Sequence, residues 1–481
     1  MNFRLGGGIV PFFKTRWLST PCLSMSSIRY LYLNWISMLS PLMKMIALTL
    51  LFVSHLQVIN AEETSATQEI ARFISSPDEN YQWTHLKSTS RSEGTIHELR
   101  LTSQIWKNTT WEHAVEVYEP KVIQHQSSAL LFVTGGSEPS APADSEIQRG
   151  LGLASQCGAP VVMLHQVPNQ PLLGGRKEDD LISETWLRYL ETGDPSWPLL
   201  FPMVKSAVRA MDMVEDFSVK ILKSPIKQFL ITGASKRGWT SWLTPIVDDR
   251  VIGTAPIVID ILDFKKQMSH QLDTWGSFSL QIQDYTRKGL VKRPGESESA
   301  REMRLRTMMD PFSYRDQLTL PKLLIVGTND PYWTVDAMNL YWDQLQGQKL
   351  ISQHANAGHG LEGSQQEAMR TLAVFFNLVV SKKELPKIHW ETQASDESIE
   401  MQISSDPLAT SARIWHASSD DGDFRDEDWS SQPAVKSETG WTGKIQTRST
   451  GQQAIFGEIF FSYQGEPWSL TTLVHRFESD K

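Results

Sequence analysis

The chain has 481 residues, 40% of them hydrophobic and 21% charged, the balance of a soluble globular protein long enough for two domains or for one large domain with appendages. Its formal net charge is −9 with no basic run, which argues against nucleic acid or an anionic membrane surface as partner. Two cysteines, Cys22 and Cys157, leave no room for a Cys-based metal site, and no metal-ligand spacing or cofactor motif occurs elsewhere.

The first 61 residues stand apart. They hold five basic residues (Arg4, Lys14, Arg16, Arg29, Lys44) and no acidic one. Met43-Lys44-Met45 leads into the apolar run Ile46–Val53, then a polar stretch and Ile59-Asn60-Ala61 ahead of Glu62-Glu63. A charged start, a short apolar segment and a small residue form a cleavable export leader, whether translation begins at Met1 or Met43. The run is well short of the ~20 residues of a membrane span, so no stable membrane insertion is expected after cleavage. Losing those five charges leaves 41 basic against 55 acidic residues, a net of −14. The expected location is secreted or periplasmic.

From about residue 127 short apolar runs alternate with amphipathic stretches. Strands are predicted at Ser128–Val133, Ala159–Leu164, Gln228–Thr232, Val251–Val258, Lys322–Val326 and Leu350–Gln353. Helices are predicted at Pro202–Phe217, after Lys236, around Met338, Tyr341 and Leu345, and at Gln365–Val380. This alternation reads as an α/β fold, a mostly parallel sheet with helices on both faces. Residues 261–318 separate two strands, are rich in aromatic and charged residues, and are too long for a crossover; they read as a cap. After Pro386 alternating runs such as Ile399–Ile403 and Ile455–Phe461, divided by Asp, Ser and Gly turns, suggest a small β-sandwich. The expected organisation is a leader over 1–61, a 62–385 domain with its cap at 261–318, and a β-sandwich over 386–481 that supplies no catalytic group.

Chemistry concentrates at strand ends. Phe229-Leu230-Ile231-Thr232 leads into Gly233-Ala234-Ser235-Lys236-Arg237-Gly238 and a helical pattern, the strand–turn–helix that exposes a nucleophilic serine, although Arg237 stands where G-x-S-x-G has its second glycine. Alone, Ser235 could equally be a helix cap. Its partners decide: Asp330 follows the strand Lys322–Val326, and His359 lies in Ala357-Gly358-His359-Gly360 before the last helix, which is the order Ser, Asp, His. His354 is the competing base. Oxyanion donors are expected from the backbone of Lys236 and from Gly135-Gly136, for which a plain turn is the alternative. Asp260 and Asp263 could line the mouth or start a helix; Glu178-Asp179-Asp180 reads as a solvated charge run; His113 and His165 read as scaffold.

Thr232–Thr240, Pro202–Asp212, Asp310-Pro311-Phe312-Ser313-Tyr314-Arg315 and Asn356-Ala357-Gly358-His359 resemble the PhoPQ-activated pathogenicity-related proteins, from about residue 65 to the C-terminus. The resemblance implies a secreted or periplasmic branch of the α/β-hydrolases and no particular substrate. The late glycine of the elbow is also similar to glucuronoyl esterases, whose serine is followed by a basic residue. Pro245 departs from a regular helix after the elbow. The expectation is a serine hydrolase acting on an ester or amide of a small molecule, peptide or glycan. A glucuronoyl-type carbohydrate esterase, favoured by the 17 tryptophans, and a secreted binding or signalling protein on a hydrolase scaffold are the alternatives.

Overall fold

The computed structural model describes residues 66–137 and 142–478. The expected leader lies outside the described residues, which form one compact unit. Its frame begins with three strands that the apolar runs do not announce: β1 (Gln82–Ser90), β2 (Gly94–Trp106) and β3 (Thr109–Pro120), paired antiparallel. The tight β2–β3 turn puts Lys107 and Asn108 at φ 48° and 63°, the double left-handed geometry of a two-residue hairpin. Then come β4 (Ser128–Val133), β5 (Val161–Leu164), β6 (Gln228–Ala234), β7 (Val251–Ile257), β8 (Lys322–Gly327) and β9 (Lys349–His354). The sheet order is β1-β2-β3-β5-β4-β6-β7-β8-β9, parallel from β5 onward.

Successive residues of the parallel strands enter different cores. Leu131 and Ile231 join a cluster on one face with Met203, Val204 and Met211 of the helix Leu200–Phe217. Leu130 and Leu230 join one on the other face with Leu372, Phe375 and Phe376 of the helix Gln365–Val380. Burial on both faces is why these strands read as unbroken apolar runs rather than alternating ones. With a strand–turn–helix elbow after β6, this is the α/β-hydrolase fold.

Residues 387–478 form two antiparallel sheets from β10 (Lys387–Ala394), β11 (Ser398–Asp406), β12 (Ser411–Ser419), β13 (Ser430–Pro433), β14 (Val435–Lys436), β15 (Trp441–Gln446), β16 (Gln452–Tyr463), β17 (Glu466–Thr471) and β18 (His475–Glu478). One has the order β10-β11-β15-β14, the other β13-β12-β16-β17 with β18 beside β16. They pack face to face so closely that a Cβ on Gly443 of β15 would lie 1.9 Å from Ile414 Cγ1 of β12. Met401, Ile403, Ile459 and Leu470 extend the second core of the main sheet, so the sandwich shares that core.

One helix expectation needs correction. Around Met338 there are only 3-10 turns, Ala337–Leu340 and Trp342–Gln344; Met338, Tyr341 and Leu345 are buried, and a helical spacing of apolar residues fits successive tight turns equally well. After the elbow the helix Lys236–Leu243 is short, as Pro245 implies, and passes directly into the 3-10 turn Thr244–Ile246. Among the described residues no helix is long and apolar enough to cross a membrane.

Candidate active site

Ser235 sits at the junction of β6 and the helix Lys236–Leu243 with φ 56° and ψ −128°, a conformation a non-glycine residue holds at about 1–3 kcal/mol. Its N–H donates to Ile257 O (2.8 Å) and its C=O accepts from Trp239 N (3.0 Å). The crossing of strand and helix leaves no room for side chains. A Cβ on Gly233 would lie 2.7 Å from Arg237 O; one on Gly238 would lie 2.7 Å from Ile259 Cγ2 and 2.8 Å from Gly233 O. The second small residue is therefore needed at 238, and position 237 is free to carry a long side chain outward.

The turn brings three distant residues together. Ser235 Oγ lies 2.9 Å from His359 Nε2, and His359 Nδ1 lies 2.7 Å from Asp330 Oδ2. Asp330 Oδ1 also accepts from Tyr332 N (3.0 Å), and the Tyr332 ring stacks on the imidazole at 4.3 Å between centroids. Gly327 ends β8 where a Cβ would strike Ala357 O at 2.1 Å, so its bare backbone lets the His359 loop cross beside Asp330. Glu362 ties that loop from inside, accepting from Gly358 N (3.0 Å) and Gly360 N (3.1 Å). His354 is not at the site: it is buried against Ser352 Oγ (3.0 Å), and burial lowers it to about 4.

Arg237 forms a forked pair with Glu178, Nη1 to Oε2 and Nη2 to Oε1 at 2.8 Å each, while Nε donates to Val167 O (2.6 Å). Gly135 lies under this guanidinium, where a Cβ would sit 2.6 Å from Nη2, and Gly136 follows at φ 106°. The glycine pair is thus shaped by the elbow's arginine as well as by its own turn. Lys236 Nζ is 3.1 Å from both Glu178 Oε2 and Asp179 Oδ2. Glu178-Asp179-Asp180 accordingly differs from the solvated run expected: it opens the helix Glu178–Thr192, where acidic groups suit the helix dipole, and each member has a cationic partner. Sequence spacing shows only the Arg176–Asp180 pair, four positions apart; Lys236, Arg237 and Lys288 lie 57 or more positions away. Burial alone would raise the Glu178 carboxyl, but Arg237, Lys236 and the Gln170 amide outweigh it and hold it at about 2.

Other singled-out residues are structural. Asp263 caps the helix Phe264–Trp275. Asp260 is buried beside Tyr341 Oη (2.6 Å); burial raises its carboxyl to about 7 against that hydrogen bond, helped by the charges of Asp330 and Asp336. His113 bonds Ser103 Oγ and His165 O, and His165 bonds Glu116 and Thr134. A cavity of about 300 Å³ opens beside Ser235 and Lys236, walled by Trp186, Trp239 and residues 261–306 of the insertion. Among the described residues no group of His, Cys, Asp and Glu could hold a metal ion.

The sequence profile of the PhoPQ-activated pathogenicity-related proteins matches residues 70–425. The chain belongs to that family. Autocrine proliferation repressor protein A of Dictyostelium discoideum is 31% identical over 339 residues, 68% of each chain. Among solved structures, acetyl xylan esterase 1 of Thermoanaerobacterium is similar at 17% identity, covering 66% of this chain and 93% of that one with a TM-score of 0.46. A glucuronoyl esterase of Solibacter usitatus is similar at 10% identity over 65% and 91%, with a TM-score of 0.41.

The PhoPQ-related match ends at Arg425, inside a loop of the C-terminal sheets that reaches the site. Asn329 Nδ2, next to Asp330, donates to Arg425 O (3.0 Å) and Glu427 O (2.9 Å). Asn356, three residues before His359, donates to Trp429 O (2.9 Å) and accepts from Trp429 N (2.7 Å). The sandwich supplies no member of the Ser-His-Asp arrangement, yet it holds the loops of two.

Two tests follow from these contacts. Glu178 is lowered in the folded protein, so its pairing stabilises fully above its ordinary value of 4.5 and is lost as pH falls toward about 2. Arg237→Ala should cost about 1–3 kcal/mol at neutral pH, less than a fully buried pair because the Glu178 side chain is 40% exposed; urea unfolding should show the difference narrowing between pH 4.5 and 2. Asn356→Ala orphans the Trp429 amide and should cost about 1–3 kcal/mol, with hydrogen exchange rising in 355–361 while the buried strands β4 and β6 stay protected.

Proposed function

We propose that this protein is an exported serine hydrolase that cleaves an ester or amide through an acyl-enzyme, with Ser235 as nucleophile, His359 as base and Asp330 as its orienting acid. The observation that carries the reading is the unbroken contact Ser235 Oγ to His359 Nε2 to Asp330 at 2.9 and 2.7 Å, mounted on a backbone turn held in the left-handed region. Three groups from three strand ends meeting in that order have no structural use that simpler residues would not serve.

Ser235 Oγ attacks the carbonyl carbon as its proton passes to His359 Nε2, and the carbonyl electron pair moves to oxygen. The oxyanion is held by backbone N–H groups, that of Lys236 and one from Gly135-Gly136. The Lys236 ammonium has another task, since Glu178 and Asp179 engage it. Collapse breaks the bond to the leaving group, which takes the proton from His359. Water then repeats the sequence on the acyl-enzyme, releasing the acid and returning the proton to Ser235. Asp330 keeps the Nδ1–H tautomer and stabilises the imidazolium.

Incubation with a fluorophosphonate should place one adduct on Ser235, and Ser235→Ala should abolish labelling and turnover without unfolding. Asp330→Asn should lower kcat by about 10⁴-fold through the wrong histidine tautomer. An adduct elsewhere, or hydrolysis surviving Ser235→Ala, would overturn the assignment.

A further inference from the structure

The cavity beside the elbow touches Ser235, Lys236 and Tyr332; His359 itself, on which the Tyr332 ring stacks, is not part of its wall. A leaving group must receive its proton from His359 Nε2, so it lies on the histidine side of the serine. The space on the Lys236 side receives the other half of the substrate, the acyl chain. Its walls are mostly apolar, with Ile259, Phe264, Met268, Leu290, Val291 and Leu305 beside Trp186 and Trp239, and charged residues of the insertion also line it.

The tryptophans do not form a sugar platform. Trp186 stacks on Phe264 (interplanar angle 21°) and meets Trp239 edge-on, Trp239 meets Phe264 at 82°, and the Trp239 indole N–H is spent on Met309 O (2.7 Å). Most of the charged wall groups are engaged within the protein, while the Trp186 and Trp333 indole N–H groups are buried without a partner. Asp179 takes the Lys236 ammonium (3.1 Å) and the Tyr285 hydroxyl (3.0 Å), and at the insertion Lys292 pairs Glu302 and Arg306 forks onto Glu298. A hydroxylated ring entering here would lose water and find few partners besides those two indole N–H groups, a cost of about 1–3 kcal/mol for each hydroxyl left unpaired. A hydrocarbon loses nothing and gains burial.

We propose that this site, read as the serine hydrolase above, selects substrates with an apolar acyl chain of medium length, held between the elbow helix and the 261–318 insertion. A volume of about 300 Å³ is at the small end of ligand pockets, which sets an upper limit to the chain it can take.

The test is a series of p-nitrophenyl esters with one leaving group and lengthening acyl chains, run on the full-length protein beside fluorophosphonate labelling of Ser235. From acetate through butyrate and hexanoate, kcat/KM should rise roughly two- to four-fold per added methylene and then level off. Val291→Trp, which narrows the cavity, should move the optimum to shorter chains. Labelling of Ser235 with acetate preferred, a flat series, or faster turnover of acetylated or glucuronoyl sugars would overturn the acyl-chain proposal alone. Absence of labelling and of all ester turnover would overturn both readings.

Discussion

The structure hinges on a crossing without side chains. Where β6 passes into the helix Lys236–Leu243, Gly233 and Gly238 meet so closely that a Cβ on either would collide with backbone or with Ile259. That contact forces Ser235 into the left-handed region and aims its hydroxyl out of the sheet toward His359. Strain of about 1–3 kcal/mol at one residue persists because β6 is bonded on both sides, to β4 and β7, and its apolar residues are buried on both faces. The displaced glycine also explains the arginine. With the close contact one position later, residue 237 points away from the junction, and its guanidinium secures Glu178 and the Val167 carbonyl beside Gly135.

Charge is arranged so that the elbow is locally neutral. Two cations, Lys236 and Arg237, meet two carboxylates, Glu178 and Asp179, brought by the first turn of a neighbouring helix. Asp260 is a different case: burial, helped by the nearby Asp330 charge, raises its carboxyl to about 7 against its hydrogen bond with Tyr341. The loops of Asp330 and His359 are fixed from outside the parallel sheet, by Asn329 and Asn356 on the backbone of 425–429. A C-terminal addition that supplies no member of the Ser-His-Asp arrangement thereby holds the loops of Asp330 and His359.

What the sequence disclosed and what it withheld divide along physical lines. Strands buried on both faces gave continuous apolar runs, and β4 to β9 were legible within a few residues. Ser235, Asp330 and His359 were legible because a fixed chain order and strand-end positions constrain them jointly. The hairpin strands β1 to β3 were not, because β1 is largely exposed and bulges interrupt the alternation at His85/Lys87 and Thr102/Gln104. Glu178-Asp179-Asp180 looked like solvent-facing charge because a sequence shows charges but not their distant partners. Asn329 and Asn356 carried no mark at all: each is a polar loop residue like many others until its backbone partners are known.

The tryptophans show the same limit from the other direction. Seventeen of them in one chain invite a reading in terms of sugar stacking, but stacking requires an open indole face. Here Trp111 and Trp242 are fully buried, and Trp106 packs edge-on against both Trp111 and Trp197. Trp415 stacks on Phe456, and Trp429 lies against Phe424 in the core of the C-terminal sheets. Those at the cavity present edges to one another. Aromatic count measures how much apolar area is available for burial; packing decides whether the protein or a ligand uses it. Among the described residues named here that area is used internally, so the tryptophan count reports on how the core is filled rather than on a ligand.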